Sequence, residues 1–277
     1  MSRLLIVIGA TAATGLLFGC GDRAVSESPG DVSTRLDSVS QAEWAALGSR
    51  RVFFAHQSVG GNVVQGVEAL LRERPALGLR LVRSSQPDTI VGGAIIHDYV
   101  GENGAPASKT EGFGSIVNAT MQHPIEVGMQ KFCYADFNKH TDPAAFFATY
   151  EQSIEALRRL RPNLQIVHVT APLLEKRFAL KDVARAVLGK TTTEMQTAKV
   201  RAFNDLLRAR YGKVDPVFDL AAVESTGQGA GGDHAAESLA AQFATPDGGH
   251  LNDLGQRVVA AELLVFLAKL PSPDTAQ

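Results

Sequence analysis

Two short stretches hold the residue types from which a covalent acyl-transfer site is built. The first, VFFAHQSVGGN (52–62), sets the hydroxyl of Ser58 after an apolar run and before a glycine pair. The second, TPDGGHLNDLGQ (245–256), places Asp247 and His250 three residues apart, ahead of a closing apolar segment. A serine attacks an ester carbonyl when a base takes its proton and fixed donors receive the oxyanion. A three-residue separation in a loop lets a carboxylate fold back onto the imidazole Nδ1–H and leaves Nε2 free to face the serine. Each stretch also has a plainer reading. A serine ahead of a helix is an N-cap that satisfies an orphan N–H, and Asp with Gly is what an exposed turn contains.

The elements that must position these residues alternate along the chain. RVFFA (51–55), LRLVRS (79–84), IEVGMQKFCYADF (125–137), LQIVHVTAP (164–172) and VDPVFDL (214–220) read as five strands or strand-bearing segments. Between and after them, 62–74, 143–160, the segment ending at Gly212, and 251–270 carry helical spacing, with Pro143 in a first turn and Gly212 as a stop. Strands separated by helices imply right-handed crossovers and a parallel sheet covered on both faces, an α/β fold. Ligands of such sheets sit at the carboxyl ends of the strands, and Ser58 falls in the turn after the first one. The polar, glycine-rich passage 85–111 shows no period and reads as a long loop.

The order and spacing of these motifs over roughly residues 50–270 resemble the SGNH (GDSL-like) hydrolases. In that family the nucleophile follows the first strand, and an Asp-x-x-His motif precedes the last helix. Asp247, Gly248, His250, Asn252 and Gly255 echo the second motif. The resemblance implies a flavodoxin-like three-layer α/β/α sandwich with a five-stranded parallel sheet over 44–271. It also implies a serine esterase with Ser58 as nucleophile, His250 as base and Asp247 as its orienting carboxylate, and no required cofactor.

This sequence departs from the family at named positions. His56 and Gln57 stand where Gly and Asp precede the serine. CYAD (133–136) keeps Asp136 but has Ala135 in the seat of the oxyanion-binding Asn. Asn138, Asn103 and the backbones of Gly101 and Gly104 are the candidate replacements, beside the Ser58 N–H itself. His56 is expected to support the Ser58 turn, and Asp136 is either a structural acceptor or part of the site. Acetyl groups on a glycan fit the polar glycine-rich rim better than long acyl chains do. The same residues would serve an O-acyltransferase, and the departures also suit a weak or inactive member that binds a glycan or protein partner.

The rest of the sequence bounds these readings. A net charge of −2 over 277 residues provides no basic field for nucleic acid or for an anionic membrane surface. No His-Glu-x-x-His pattern supports a metal at His56, Asp136 and His250, and the glycine-rich 226–234 lacks a Walker lysine. Residues 1–20 combine Arg3, an apolar core and LLFGC, a stretch that resembles a bacterial lipoprotein box. Lipidation at Cys20 would anchor the protein in the cell envelope, the alternatives being an ordinary secretory signal or an uncut anchor. Residues 21–43 read as a flexible tether and 272–277 as a tail. Cys133, in KFCYADF, reads as a buried thiol.

Overall fold

The computed structural model describes residues 29–176, 180–226 and 238–271. The leader with Cys20, the tail 272–277 and most of the glycine-rich 226–234 lie outside the described residues. Strand β1 (Arg51–His56) is buried at every position, as an apolar run without alternation requires of a parallel strand covered on both faces. It is joined by β2 (Leu81–Arg83), β3 (Ala94–Tyr99), β4 (Val127–Gln130), β5 (Gln165–Val169) and β6 (Val217–Phe218). The six strands form one sheet in the order β2-β3-β1-β4-β5-β6, and every pairing is parallel. From β1 the chain goes out to the edge strand β2, returns to place β3 beside β1, and then crosses to β4, β5 and β6 on the other side, so the crevice beside β1 is the topological switch point where α/β sheets bind ligands.

The helices are α1 (Pro29–Asp37), α2 (Gln41–Ser49), α3 (Val59–Glu73), α4 (Pro106–Ala119), α5 (Pro143–Leu160), α6 (Leu180–Val187), α7 (Thr193–Tyr211), α8 (Leu220–Thr226) and α9 (Asp253–Ala268). Alternation along the strands sends Phe53 and His168 to one face of the sheet, where they meet Phe113 of α4, Tyr150 of α5 and Tyr211 of α7. The opposite face carries His56 against α3 and Phe218 against Phe266 of α9. The result is the three-layer α/β/α sandwich, with six strands where five are expected.

The sixth strand is β3, which lies inside the passage 85–111 read from sequence as a loop. Its first half is buried because it is an interior strand between β2 and β1. A second correction concerns the tether. Within 29–43, α1 and the start of α2 are helical, and Val32, Leu36 and Val39 are buried in the common core. Arg35 of α1 pairs with Glu262 of α9 at 2.5 Å. The globular body therefore begins well before Trp44.

Helices α3 and α9 run unusually close, and Gly66 explains why. A Cβ built at Gly66 would stand 2.1 Å from the Gln256 carbonyl oxygen, so only a residue without a side chain admits this approach. The two helices carry the two halves of the candidate site at their amino ends.

Candidate active site

Ser58 occupies the turn between β1 and α3 at φ 45°, ψ −109°, the only non-glycine residue with positive φ among the described residues. A β-carbon in this region costs on the order of 1–3 kcal/mol, and such strain persists only where the surroundings over-determine it. Here they do. An added Cβ at Gly60 would lie 2.4 Å from the His56 Cβ, and one at Gly61 2.7 Å from the Tyr99 hydroxyl. The glycine pair thus lets the helix start press against the strand end and turns the Ser58 side chain outward. Ser58 stands at the N-cap position of α3 but makes no side-chain cap hydrogen bond. Its Oγ instead lies 2.7 Å from His250 Nε2.

The base arrives on the turn before α9. Asp247 Oδ2 is 2.6 Å from His250 Nδ1, while Oδ1 accepts from the Gly249 and His250 N–H groups at 2.8 and 3.0 Å and from the Thr245 hydroxyl at 2.8 Å. Partial burial opposes ionisation of Asp247. The bonds from Gly249 N–H, the His250 ring, the Thr245 hydroxyl and His250 N–H prevail and hold the carboxyl well below the usual range. An ionised carboxylate can only accept, so Nδ1 carries the hydrogen and Nε2 presents its lone pair to Ser58. The turn is fixed further by Asn62 of α3, whose Oδ1 accepts from Leu251 N–H at 3.3 Å, and by Asn252, which caps α9 through Gly255 N–H.

Among the other sequence candidates, Asp136 is fully enclosed and structural in its contacts. It accepts from Gly104 N–H at 2.8 Å, Cys133 N–H at 2.7 Å and the Lys109 ammonium at 2.6 Å. Lys109 is itself buried and also reaches Asn103 Oδ1 at 2.9 Å. Gly104 N–H and the Asn103 side-chain Oδ1 are therefore engaged in bracing the loop. Gly101, at φ 69°, accepts from the Gln57 side chain at 2.7 Å through its carbonyl. This ties the loop to the Ser58 turn, and the Gly101 N–H makes no hydrogen bond among the described residues. Asn138 closes its own turn, with Oδ1 accepting from His140 N–H at 2.9 Å, and is not brought to Ser58.

His56 lies beneath the Ser58 turn, its Nε2 3.1 Å from His97 Nδ1. Burial, reinforced by His97, Lys131 and Arg83, pushes its pKa down to about 3, so the ring is neutral and its contribution is packing. Cys133 is a buried free thiol just beyond β4, with Lys131 Nζ donating to its sulfur at 3.1 Å.

Two residues near the site carried no signal in isolation. Lys109 sits 27 positions from its partner Asp136, beyond any local pattern. Tyr134, one residue before Ala135, turns its ring edge-on to His250 with centroids 6.4 Å apart. Its hydroxyl lies beside the Ser58 side chain. A tyrosine in the unusual CYAD stretch was the available clue.

The arrangement can deprotonate a serine hydroxyl on an exposed turn, hold the imidazole in one tautomer, and offer N–H groups at the turn into α3 other than those of Gly60 and Gly61, which bond to the Gln57 and Ser58 carbonyls. Among solved structures, the chain is similar to an acetyl esterase mutant with bound acetate ion, at 13% identity and TM-score 0.46 over 77% of this chain and 92% of that one. It is also similar to a carbohydrate esterase family 3 protein from Talaromyces cellulolyticus, at 13% identity and TM-score 0.45 over the same shares. A third is a candidate platelet activating factor from Streptococcus pneumonia, at 16% identity and TM-score 0.45 over 86% and 95%. No protein-family model matches the chain, and no curated protein sequence does.

Proposed function

We propose that the protein is a serine esterase of the SGNH type, acting on short acyl esters. The observation that carries the reading is the 2.7 Å contact between Ser58 Oγ and His250 Nε2, made across 192 positions by a serine held in a strained turn. In this mechanism Ser58 Oγ bonds to the ester carbonyl carbon and the C=O pair moves onto oxygen, while His250 Nε2 takes the hydroxyl proton. The carbon–oxygen bond to the leaving alcohol then breaks and the imidazolium returns the proton to that oxygen. Water, deprotonated by the same nitrogen, releases the acid and restores Ser58. Asp247, ionised throughout, stabilises the imidazolium and fixes its orientation.

A polar acyl carrier such as an acetylated glycan suits the surroundings. Beyond the carboxyl ends of β2 and β3 lies an open recess of about 470 Å³ lined by Arg83, Ser84, Ser85, Gln86, Thr89 and Asp98. Arg83 lies over the Tyr99 ring at 4.9 Å, and the Tyr99 hydroxyl borders Gly61 in the Ser58 turn. Tyr99 thus links this polar recess to the Ser58 turn. Acetate release from O-acetylated oligosaccharides, set beside p-nitrophenyl esters of increasing chain length, tests the reading. Ser58-dependent turnover that falls with chain length supports it. Preference for long chains contradicts the glycan substrate, and turnover that survives Ser58→Ala contradicts the nucleophile. The proposal places this activity in the cell envelope through lipid on Cys20, tested by the mass of the amino-terminal peptide from a bacterial membrane fraction.

A further inference from the structure

Formation of a tetrahedral adduct on Ser58 puts a full negative charge on the former carbonyl oxygen, and a preorganised side-chain donor beside the backbone N–H groups strengthens its stabilisation. The obvious side-chain seat is empty of polar atoms, since Ala135 stands there. Gly104 N–H is held by Asp136, and Asn138 closes a turn of its own. We propose that the hydroxyl of Tyr134 is the side-chain donor to this oxyanion. The inference rests on the esterase reading above and adds a side-chain donor to it.

Position is the first argument. The Tyr134 ring stands edge-on to His250 at 75°, with centroids 6.4 Å apart, and its hydroxyl lies beside the Ser58 side chain. On its far side the phenol borders Gly249, where an added Cβ would be 2.6 Å from the hydroxyl oxygen. A glycine beside the base is thus what allows the phenol to reach the junction of Ser58 and His250. In the adduct the oxyanion is bonded to the carbon that Oγ attacks, so a phenol hydroxyl beside Ser58 and His250 stands close to where that charge develops.

Rigidity is the second. The Tyr134 carbonyl accepts from Gln196 Nε2 at 2.7 Å and from Phe137 N–H at 3.1 Å. The turn Tyr134–Asp136 is clamped by Asp136, through the Cys133 amide and the buried Lys109 ammonium. A donor on such a base needs little reorganisation when charge develops, and this preorganisation is where oxyanion sites obtain their effect. Protonation state agrees. Burial, followed by the charges of Asp247, Cys133 and Glu224, pushes the phenol up to about 12, so it stays a donor at neutral pH.

The test is Tyr134→Phe, which removes one oxygen and keeps the ring. With p-nitrophenyl acetate, kcat is expected to fall by about 10²- to 10³-fold while KM stays within about threefold, as for loss of one oxyanion donor. The thermal midpoint should stay near that of the unmodified protein. A kcat within twofold overturns the inference while leaving Ser58 chemistry intact. Wild-type protein without any Ser58-dependent hydrolysis overturns the esterase reading and this inference with it. Should Tyr134→Phe fold poorly, 3-fluorotyrosine at position 134 provides a second measurement. Its fluorine resonance should shift when a phosphonate forms a tetrahedral adduct on Ser58, and an unmoved resonance overturns the inference.

Discussion

Replacing Gly66 by Ala probes how the fold delivers a serine to a histidine on a separate helix. The added Cβ would stand 2.1 Å from the Gln256 carbonyl oxygen, where real Cβ contacts stop at 3.0 Å, so the two backbones must part by about 0.9 Å. The obstacle is backbone, which no rotamer change relieves. Ser58 lies eight residues before Gly66, about 12 Å along α3, and His250 lies six residues before Gln256. The contact between them, at 2.7 Å, has about 0.5 Å of slack before it passes the ~3.2 Å reach of proton transfer. The forced separation exceeds that slack, and misplacement of about 1 Å typically costs on the order of 10²-fold in rate. Stability changes less. Overpacking costs about 1–3 kcal/mol, and Ala in a helix recovers roughly 1 kcal/mol relative to Gly. Steady-state hydrolysis of p-nitrophenyl acetate, paired with a thermal melt, should show kcat/KM down by tens- to a hundredfold and a midpoint lower by a few degrees. A variant with wild-type kcat/KM and a raised midpoint would refute the claim that this close approach sets the site.

Asp247→Asn puts an amide where the carboxylate holds His250 Nδ1 at 2.6 Å. Loss of the enforced tautomer should lower kcat by roughly 10⁴-fold, and pre-steady-state kinetics should show the loss in acylation and deacylation alike, since His250 serves as base in both. Glu224 is buried and its pKa is raised to about 8, chiefly by burial, so between about pH 4.5 and 8 the folded protein holds a proton that the unfolded chain has released. Stability from this group is present below the unfolded value and falls as pH rises, by up to about 1.4 kcal/mol per pH unit. In urea titrations across that window Glu224→Gln should flatten the decline, and an unchanged slope would count against a protonated Glu224. Leu36 in α1 is 1% exposed, so Leu36→Ala should destabilise by about 2–5 kcal/mol. A flexible-tether residue would show no change in the denaturation midpoint.

Sequence legibility followed the range of the signal. Ser58 with its glycines and Asp247 with His250 are short motifs whose chemistry reads directly, and α5 is bounded by Pro143 as the sequence suggests. β3 was hidden because Ala94, Ile95 and Ile96 form a brief apolar run between glycines and the polar His97 and Asp98, too short to show a period. α1 was hidden in polar composition, although Val32 and Leu36, four residues apart on it, are both buried. The bracing of the site was least legible. Asp136, Lys109 and Gly104 meet only through the fold, and the strain at Ser58 is a backbone property that no residue type announces.

The most direct measurement of the central claim is covalent capture by a fluorophosphonate, with the modified peptide identified by mass spectrometry. The account predicts one adduct, on Ser58, abolished by Ser58→Ala and slowed at least a hundredfold by His250→Ala, as removal of an activating base requires. An adduct elsewhere, or equal labelling when His250 is gone, would contradict it.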